Sequence, residues 1–381
     1  MSRVLRKVLI TGGAGFIGTA LTKKLVQKGF EIRIIDSFSS QIHGRKTKDE
    51  ATLTISEGPI EYINSDILTN SEMVKALDGI DVLIHLAAET GTGQSMYEMR
   101  RYSETNVTGT ANILEVIGKH KLPIKKIVVA STRAVYGEGK YFCDEHGVLY
   151  PAARNQSQMD LGRFEFNCPF CGKSIKSQPS SEDSRLQPTS IYGITKLAQE
   201  QMVLNFGLNH DIATIALRFQ NVYGPGQSLL NPYTGILSIF STRIRSGSSI
   251  EIFEDGFESR DFVYIDDAIE MTLLAILDDR KHIDVFNVGS GISTNVTEVV
   301  KLLKASFKLE VPTTISGRFR KGDIRHNSAD TTKFNENFGY RANTSIEVGI
   351  TQFVEWVLKQ PIYDDNYRES LEELRANGLM K

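Results

Sequence analysis

Thr11-Gly12-Gly13-Ala14-Gly15-Phe16-Ile17-Gly18 closes the short apolar run Lys7–Thr11, which reads as a buried strand entering a turn. Two glycine registers overlap in it, Gly13-x-Gly15-x-x-Gly18 and Gly12-x-x-Gly15-x-x-Gly18. Either register puts small residues where a strand becomes a helix, so that the first amides of the helix are free to hold a pyrophosphate. Glycines alone often mark nothing more than a turn. Here a helix does follow, with Ile17, Leu21 and Leu25 at i, i+4 spacing and Gly29 at its C-terminal cap. A second strand, Glu31–Asp36, then ends on an acid. A carboxylate in that place accepts hydrogen bonds from ribose hydroxyls and repels a 2′-phosphate, which favours NAD over NADP.

Working outward, strands at Ile60–Asn64, Asp81–Ala87 and Ile127–Ser131 alternate with helical patterns around Met73–Leu77 and over Asn106–Lys119. This alternation predicts an α/β fold with a doubly wound parallel sheet. It stops at Gly137. The stretch to about Pro188 is polar, carries all three cysteines and is too long for a structureless loop, so it reads as an insert with its own organisation. Helix resumes over Ile191–Leu204 and strand over Ile212–Phe219, and shorter strands and helices follow. The division expected is 1–137 for the cofactor core, 138–187 for the insert, 188–218 completing the core, 219–360 covering the substrate, and 361–381 as a charged surface tail.

Tyr192 and Lys196 lie i, i+4 on the predicted helix and leave it on one face. A free phenol titrates near pH 10, and a neighbouring ammonium lowers that value, which makes tyrosine usable as a base. Tyr-x-x-x-Lys is also common on solvated helix faces. Ala130-Ser131-Thr132-Arg133-Ala134-Val135-Tyr136-Gly137 tips the balance, since it ends a cradle strand and ligands bind beyond the carboxyl ends of such strands. Thr132 is placed there to hydrogen-bond a reacting hydroxyl.

With these motifs in this order, the chain resembles the extended short-chain dehydrogenase/reductase superfamily, in its nucleotide-sugar epimerase/dehydratase branch. The likeness runs from Gly12 to about Asp330. It implies a Rossmann-type sheet with a smaller C-terminal substrate-binding region. It also implies NAD contacts at Gly12, Gly15, Phe16, Ile17, Gly18, Asp36, Asp66, Ile67, the His85-Leu86-Ala87-Ala88 segment, Asn106, Tyr192 and Lys196. Thr132, Tyr192 and Lys196 would be catalytic, and Thr132, Asn221, Arg260 and Arg320 would meet the sugar nucleotide. The two arginines make physical sense on their own, since guanidinium forks suit a diphosphate.

Dehydratases of this branch typically follow the Thr with Asp-Glu, and decarboxylases tend to carry a Glu there. This chain has Arg133-Ala134, neither able to do acid/base work at neutral pH. What remains is epimerisation or simple reduction, and 4-epimerisation is the expected reaction: Tyr192 takes the C4 hydroxyl proton, hydride passes to NAD, the 4-keto sugar turns over, and hydride returns to the opposite face. Asn231-Pro232-Tyr233-Thr234-Gly235 and the insert resemble a subgroup that includes dTDP-L-rhamnose 4-epimerases, so a dTDP-6-deoxyhexose is the first substrate class and a UDP-hexose the second. An NAD(P)H-dependent 4-ketoreductase and, more distantly, a non-catalytic binding protein are the alternatives.

Within the insert, Cys143-x-x-His146 and Cys168-Pro169-Phe170-Cys171 form two knuckle-like pairs. Three readings stay open: a closed structural zinc site, a redox-active CxxC, or unrelated thiols beside a solvated His. An odd cysteine count in 381 residues does not suit a disulfide framework. Net charge of −2 supplies no field for nucleic acid or anionic membrane, and no stretch reads as a signal or a membrane span. A cytoplasmic protein is expected. The resemblance further implies a homodimer built on the Asn106–Lys119 and Tyr192–Leu204 helices.

Overall fold

Val8 and Ile10 of the first strand face one core and Leu9 faces another, and all three are fully buried. A strand covered on both sides belongs to a parallel sheet flanked by helices. In the computed structural model this strand, β1 (Lys7–Thr11), lies inside a seven-stranded sheet. Its partners are β2 (Glu31–Asp36), β3 (Ile60–Asn64), β4 (Val82–His85), β5 (Lys126–Thr132), β6 (Ala213–Phe219) and β7 (Ile283–Val288). The order is β7-β6-β5-β4-β1-β2-β3, every pair parallel. The chain reverses direction across the sheet between β1 and β4, so the crevice for a ligand opens at Thr11 and His85.

The structure describes residues 7–44, 60–233, 235–363 and 367–381. Met1–Arg6 of the leading run, Thr234 and 364–366 lie outside the described residues. Among the described residues no helix is long and apolar enough to cross a membrane.

The helix carrying Tyr192 runs over Ile191–His210 and is capped by Ser190, whose hydroxyl accepts from the Gly193 amide at 3.1 Å. It lies against β5 and against the Gly109–His120 helix. The insert forms a small antiparallel sheet, with Lys140–Cys143 between Gly147–Leu149 and Lys176–Gln178. Beyond β6, the strand Ser259–Tyr264 pairs in parallel with Asn221–Tyr223 and in antiparallel with Ser293–Asn295. Asp261 on that strand is buried and accepts from the amides of Ser290, Gly291 and Ala329, which fixes the strand and leaves its neighbour Arg260 on the cavity side.

One expectation is corrected. Of the expected surface tail 361–381, residues 367–381 are docked: Tyr367–Ala376 is a helix whose Tyr367, Ser370, Leu371 and Leu374 are buried, and Met380 packs with its apolar face. Those apolar side chains recur at i, i+4 and i+7, and burying them outweighs the solvation of the charges on the outer face.

Candidate active site

Gly12 sits at φ +68°, and a Cβ there would come within 2.8 Å of the Ala87 backbone. At Gly18 a Cβ would lie 2.6 Å from the Gly13 Cα. Turn, helix and β4 therefore close on one another only without side chains. The Phe16–Gln27 helix that follows has no side-chain cap and no acid in its first turn, which leaves the orphan amides of its N-terminus open to an anion. Asp36 is tied to the same turn, accepting from the amides of Ala14 at 3.0 Å and Phe38 at 2.9 Å.

These groups border a cavity of about 390 Å³. Gly12, Gly15, Phe16, Ile17, Gly18, Asp36, Asp66, Ile67, Leu86, Ala87, Ala88, Thr132, Tyr192 and Lys196 all line it. The uncapped helix, the glycine floor and the tethered acid fit a dinucleotide. Asn106 is the exception among the expected contacts. It is fully buried behind the wall, holding the Glu89 amide and carbonyl and the Thr195 hydroxyl, and Thr105 takes its place on the surface of the cavity. His85 is likewise withdrawn, bonded through Nδ1 to Thr11 and through Nε2 to Thr110 and Gln199, and burial followed by the Lys196 charge pushes its pKa down to about 3.

A second cavity, about 340 Å³, adjoins the first. Asn221, Arg260 and Arg320 line it, as expected, and so do Arg133, Tyr233, Glu258, Asp323 and Tyr367, none of which the sequence assigns to the substrate site. Arg320 pairs with Asp323 at 2.8 Å, and Arg133 donates to Asn221 at 2.5 Å while its Nη1 has no hydrogen-bond partner. Burial and then the nearby Arg260 push the Arg133 guanidinium down to about 9. Burial raises the Glu258 carboxyl to about 7.

Thr132 and Tyr192 border both cavities, so the reactive pair stands at their junction. Burial raises the Tyr192 pKa, against which the Thr132 hydroxyl, as a hydrogen-bond partner, and the Arg133 charge act downward. Lys196 was expected to do that lowering. In this geometry its ammonium bonds Gln199 instead, burial pushes it down to about 7, and Glu200 acts to raise it. Glu200 is itself locked to Arg218 at 2.6 Å and to the Ser131 hydroxyl at 2.5 Å, which braces the end of β5 from beneath. The four candidate metal-binding residues of the insert, Cys143, His146, Cys168 and Cys171, also come together, with their Sγ and ring-nitrogen atoms all within 4.8 Å of one another.

Residues 8–155 and 168–289 match the NAD dependent epimerase/dehydratase family. A dTDP-L-rhamnose 4-epimerase of Burkholderia thailandensis is 34% identical over 93% of this chain and 96% of that protein. A UDP-N-acetyl-alpha-D-glucosaminuronate decarboxylase of Bacillus cytotoxicus is 30% identical over 92% of this chain and 97% of its own length. Among solved structures, a UDP-glucuronic acid 4-epimerase from Bacillus cereus, in complex with UDP-glucuronic acid and NAD, superposes with a TM-score of 0.74. It is 26% identical and covers 93% of this chain and 99% of that one.

Proposed function

The chain belongs to the NAD dependent epimerase/dehydratase family of enzymes, and from that premise we propose that it inverts C4 of a nucleotide-diphosphate sugar. A dTDP-6-deoxyhexose such as dTDP-L-rhamnose is the first candidate and a UDP-hexose the second. The observation that carries this reading is the place of Tyr192 and Thr132 at the junction of the two cavities. On one side the cavity suits a dinucleotide. On the other, Arg260 and Arg320 suit a diphosphate.

Bound NAD would supply the hydride acceptor, and then the donor, at sugar C4. The chain's own residues handle the proton and the position. Tyr192 takes the proton of the C4 hydroxyl and returns it after inversion, with Thr132 bridging phenol and sugar. Lys196 supplies positive charge beside the phenolate once its ammonium turns from Gln199. Arg260 and Arg320 hold the diphosphate while the sugar ring turns over. Arg133 and Ala134, next to Thr132, offer no acid/base pair for elimination.

One observation favours a second substrate reading. The half-buried Arg133 guanidinium lines the second cavity with its Nη1 buried and unbonded, and a cation so placed beside Arg260 calls for an anion. A sugar with a C6 carboxylate, as in the UDP-glucuronic acid of the Bacillus cereus neighbour, would supply one.

Incubating the purified enzyme with dTDP-L-rhamnose, UDP-glucose and UDP-glucuronic acid, without added reductant, and following C4 configuration by NMR tests all three. Inversion without reductant supports epimerisation. A strict requirement for NAD(P)H would move the reading to the 4-ketoreductase. A homodimer is part of the proposal: Ile194 and Leu208, exposed on the catalytic helix, support it, and light scattering tests it.

A further inference from the structure

Cys143 closes the central strand of the insert, and Asp144–His146 turn back so that Gly147 pairs with Cys143. The second knuckle folds the same way, with the Gly172 amide donating to the Cys168 carbonyl at 2.9 Å and the Cys168 amide to the Lys173 carbonyl at 2.7 Å. The two turns face each other. Cys143 Sγ lies 3.7 Å from Cys171 Sγ and 3.7 Å from His146 Nδ1, and Cys168 Sγ lies 3.5 Å from the same nitrogen.

Those separations identify what the cluster is built to hold. A disulfide puts its sulfurs about 2.0 Å apart, and the three thiols are free. For zinc, with Zn–S of about 2.3 Å and Zn–N of about 2.0–2.1 Å, a regular tetrahedron has S–S edges of about 3.8 Å and S–N edges of about 3.6 Å. The S–S edge of 3.7 Å and the two S–N edges of 3.7 and 3.5 Å match these values, and all four atoms lie within 4.8 Å of one another.

The surroundings point the same way. Backbone amides of Glu145 and His146 face the Cys143 sulfur, those of Phe170 and Cys171 face Cys168, and that of Lys173 faces Cys171. The His146 ring lies against Phe170, centroids 5.1 Å apart, with its Nδ1 toward the sulfurs. Glu145 of the first knuckle pairs with Lys173 of the second.

We infer that Cys143, His146, Cys168 and Cys171 form a closed tetrahedral zinc site that folds the insert and braces the wall of the substrate cavity. Three thiolates and an imidazole select zinc among the common divalent ions, and four protein ligands leave no position for chemistry. The apolar core around the site, Tyr141, Cys143, Cys168 and Ile175, is too small to hold the insert by itself. Metal binding supplies the missing folding free energy.

What the metal would hold in place is specific. Glu138, just before the first knuckle strand, accepts from the Arg325 amide at 2.7 Å. Glu165, just before the second knuckle, binds the Arg325 guanidinium and His326. Between them Arg154 pairs with Glu254 at 2.8 Å and donates to the Asp323 carbonyl at 2.8 Å. Asp323 is the partner of Arg320, and the Arg325 carbonyl accepts from Arg260 at 3.0 Å. Both candidate diphosphate anchors are thus one residue removed from the insert. This consequence for substrate binding rests on the reading of Arg260 and Arg320 given above, whereas the metal site does not.

Elemental analysis of the full-length protein, purified without chelators, is expected to find about one zinc per chain. Replacement by Co(II) should give the thiolate charge-transfer and ligand-field bands of a tetrahedral site. Cys168→Ser and Cys171→Ser should each cut metal content at least tenfold and abolish those bands. Stripping the wild type with a chelator should lower its melting temperature and raise KM for the nucleotide sugar more than it lowers kcat, with zinc restoring both. Less than about half an equivalent of zinc, with all three thiols reacting at the same rate before and after chelator, overturns the site. So does a bound metal that survives both Ser variants. An unchanged KM in zinc-stripped enzyme overturns the bracing role alone, and a metal-replete protein inactive on every sugar overturns the proposed function alone.

Discussion

Tyr192→Phe removes one oxygen and leaves a ring of nearly the same shape, so folding and catalysis should separate cleanly. The ring still fills its place against Thr132, and no cavity is created. The lost hydrogen bond to Thr132 costs about 1 kcal/mol. Thr132 keeps its contact with the Ala134 amide at 3.2 Å, which limits the loss further. A positioned general base contributes about 10²–10⁴ in rate, or about 2.7–5.4 kcal/mol of barrier. Turnover should therefore fall at least a hundredfold while stability moves by about 1 kcal/mol. Nucleotide retention should be unchanged, because the glycine turn and Asp36 are untouched. NMR of C4 inversion, urea unfolding, and assay of nucleotide released on denaturation read the three quantities. The pH profile adds a sign. Burial holds the phenol above its ordinary range, and the base must be deprotonated, so the wild-type rate should rise with pH through neutrality. The Phe variant should lose that rising limb. A variant within about threefold of wild-type turnover would refute the assignment, since no acid/base role of ordinary size fits so small a change.

Gly18→Ala places a methyl 2.6 Å from the Gly13 Cα, and the expected overpacking of about 1–3 kcal/mol should show as at least tenfold lower NAD retention after gel filtration. Arg320→Ala removes a charge-assisted contact of about 1.5–3 kcal/mol, so KM should rise about ten- to hundredfold with kcat nearly kept; an unchanged KM would remove Arg320 from the anchor. His85 resists protonation down to about 3, whereas its unfolded form takes a proton near 6.5. The unfolded chain thus binds more protons in that window, stability is lost as pH falls through it, and His85→Gln should flatten the fall in urea midpoint between pH 7 and 5. Leu374→Ala, at the docked face of the last helix, should cost about 2–4 kcal/mol locally and open 367–381 to protease before the sheet unfolds.

Much of the cofactor side was readable because it is assembled from short-range signals. Gly12 to Gly18 and Asp36 lie within one strand–helix–strand unit, and Tyr192 and Lys196 share one helix face, so spacing alone brings them together. The failures on that side are matters of competition. Lys196 lies one turn from Gln199, and nothing in the spacing says that the amide takes its ammonium. Asn106 has the right position along the chain but spends both ends of its amide on Glu89 and Thr195. The last helix did carry a signal, Tyr367, Leu371 and Leu374 on one face, hidden among charges that solvate the other.

The sugar side was less legible for a physical reason. Its contacts join residues far apart in sequence: Arg133 meets Asn221, Arg260 reaches the carbonyl of Arg325, and Arg154 reaches that of Asp323. No local period encodes such pairs. Arg133 shows the consequence most clearly. In the sequence it marks the absence of an acid/base pair beside Thr132, a negative clue about chemistry. In the structure it is a half-buried cation lining the second cavity, its Nη1 buried and unbonded. The same residue that argues against elimination therefore bears on which sugar enters. Arg133→Leu separates the two: a neutral 6-deoxyhexose should be turned over at least as well once an uncompensated charge is gone, whereas a hexuronic acid should lose about tenfold or more in kcat/KM. If both substrates respond alike, Arg133 holds the loop through Asn221 and does not read the sugar.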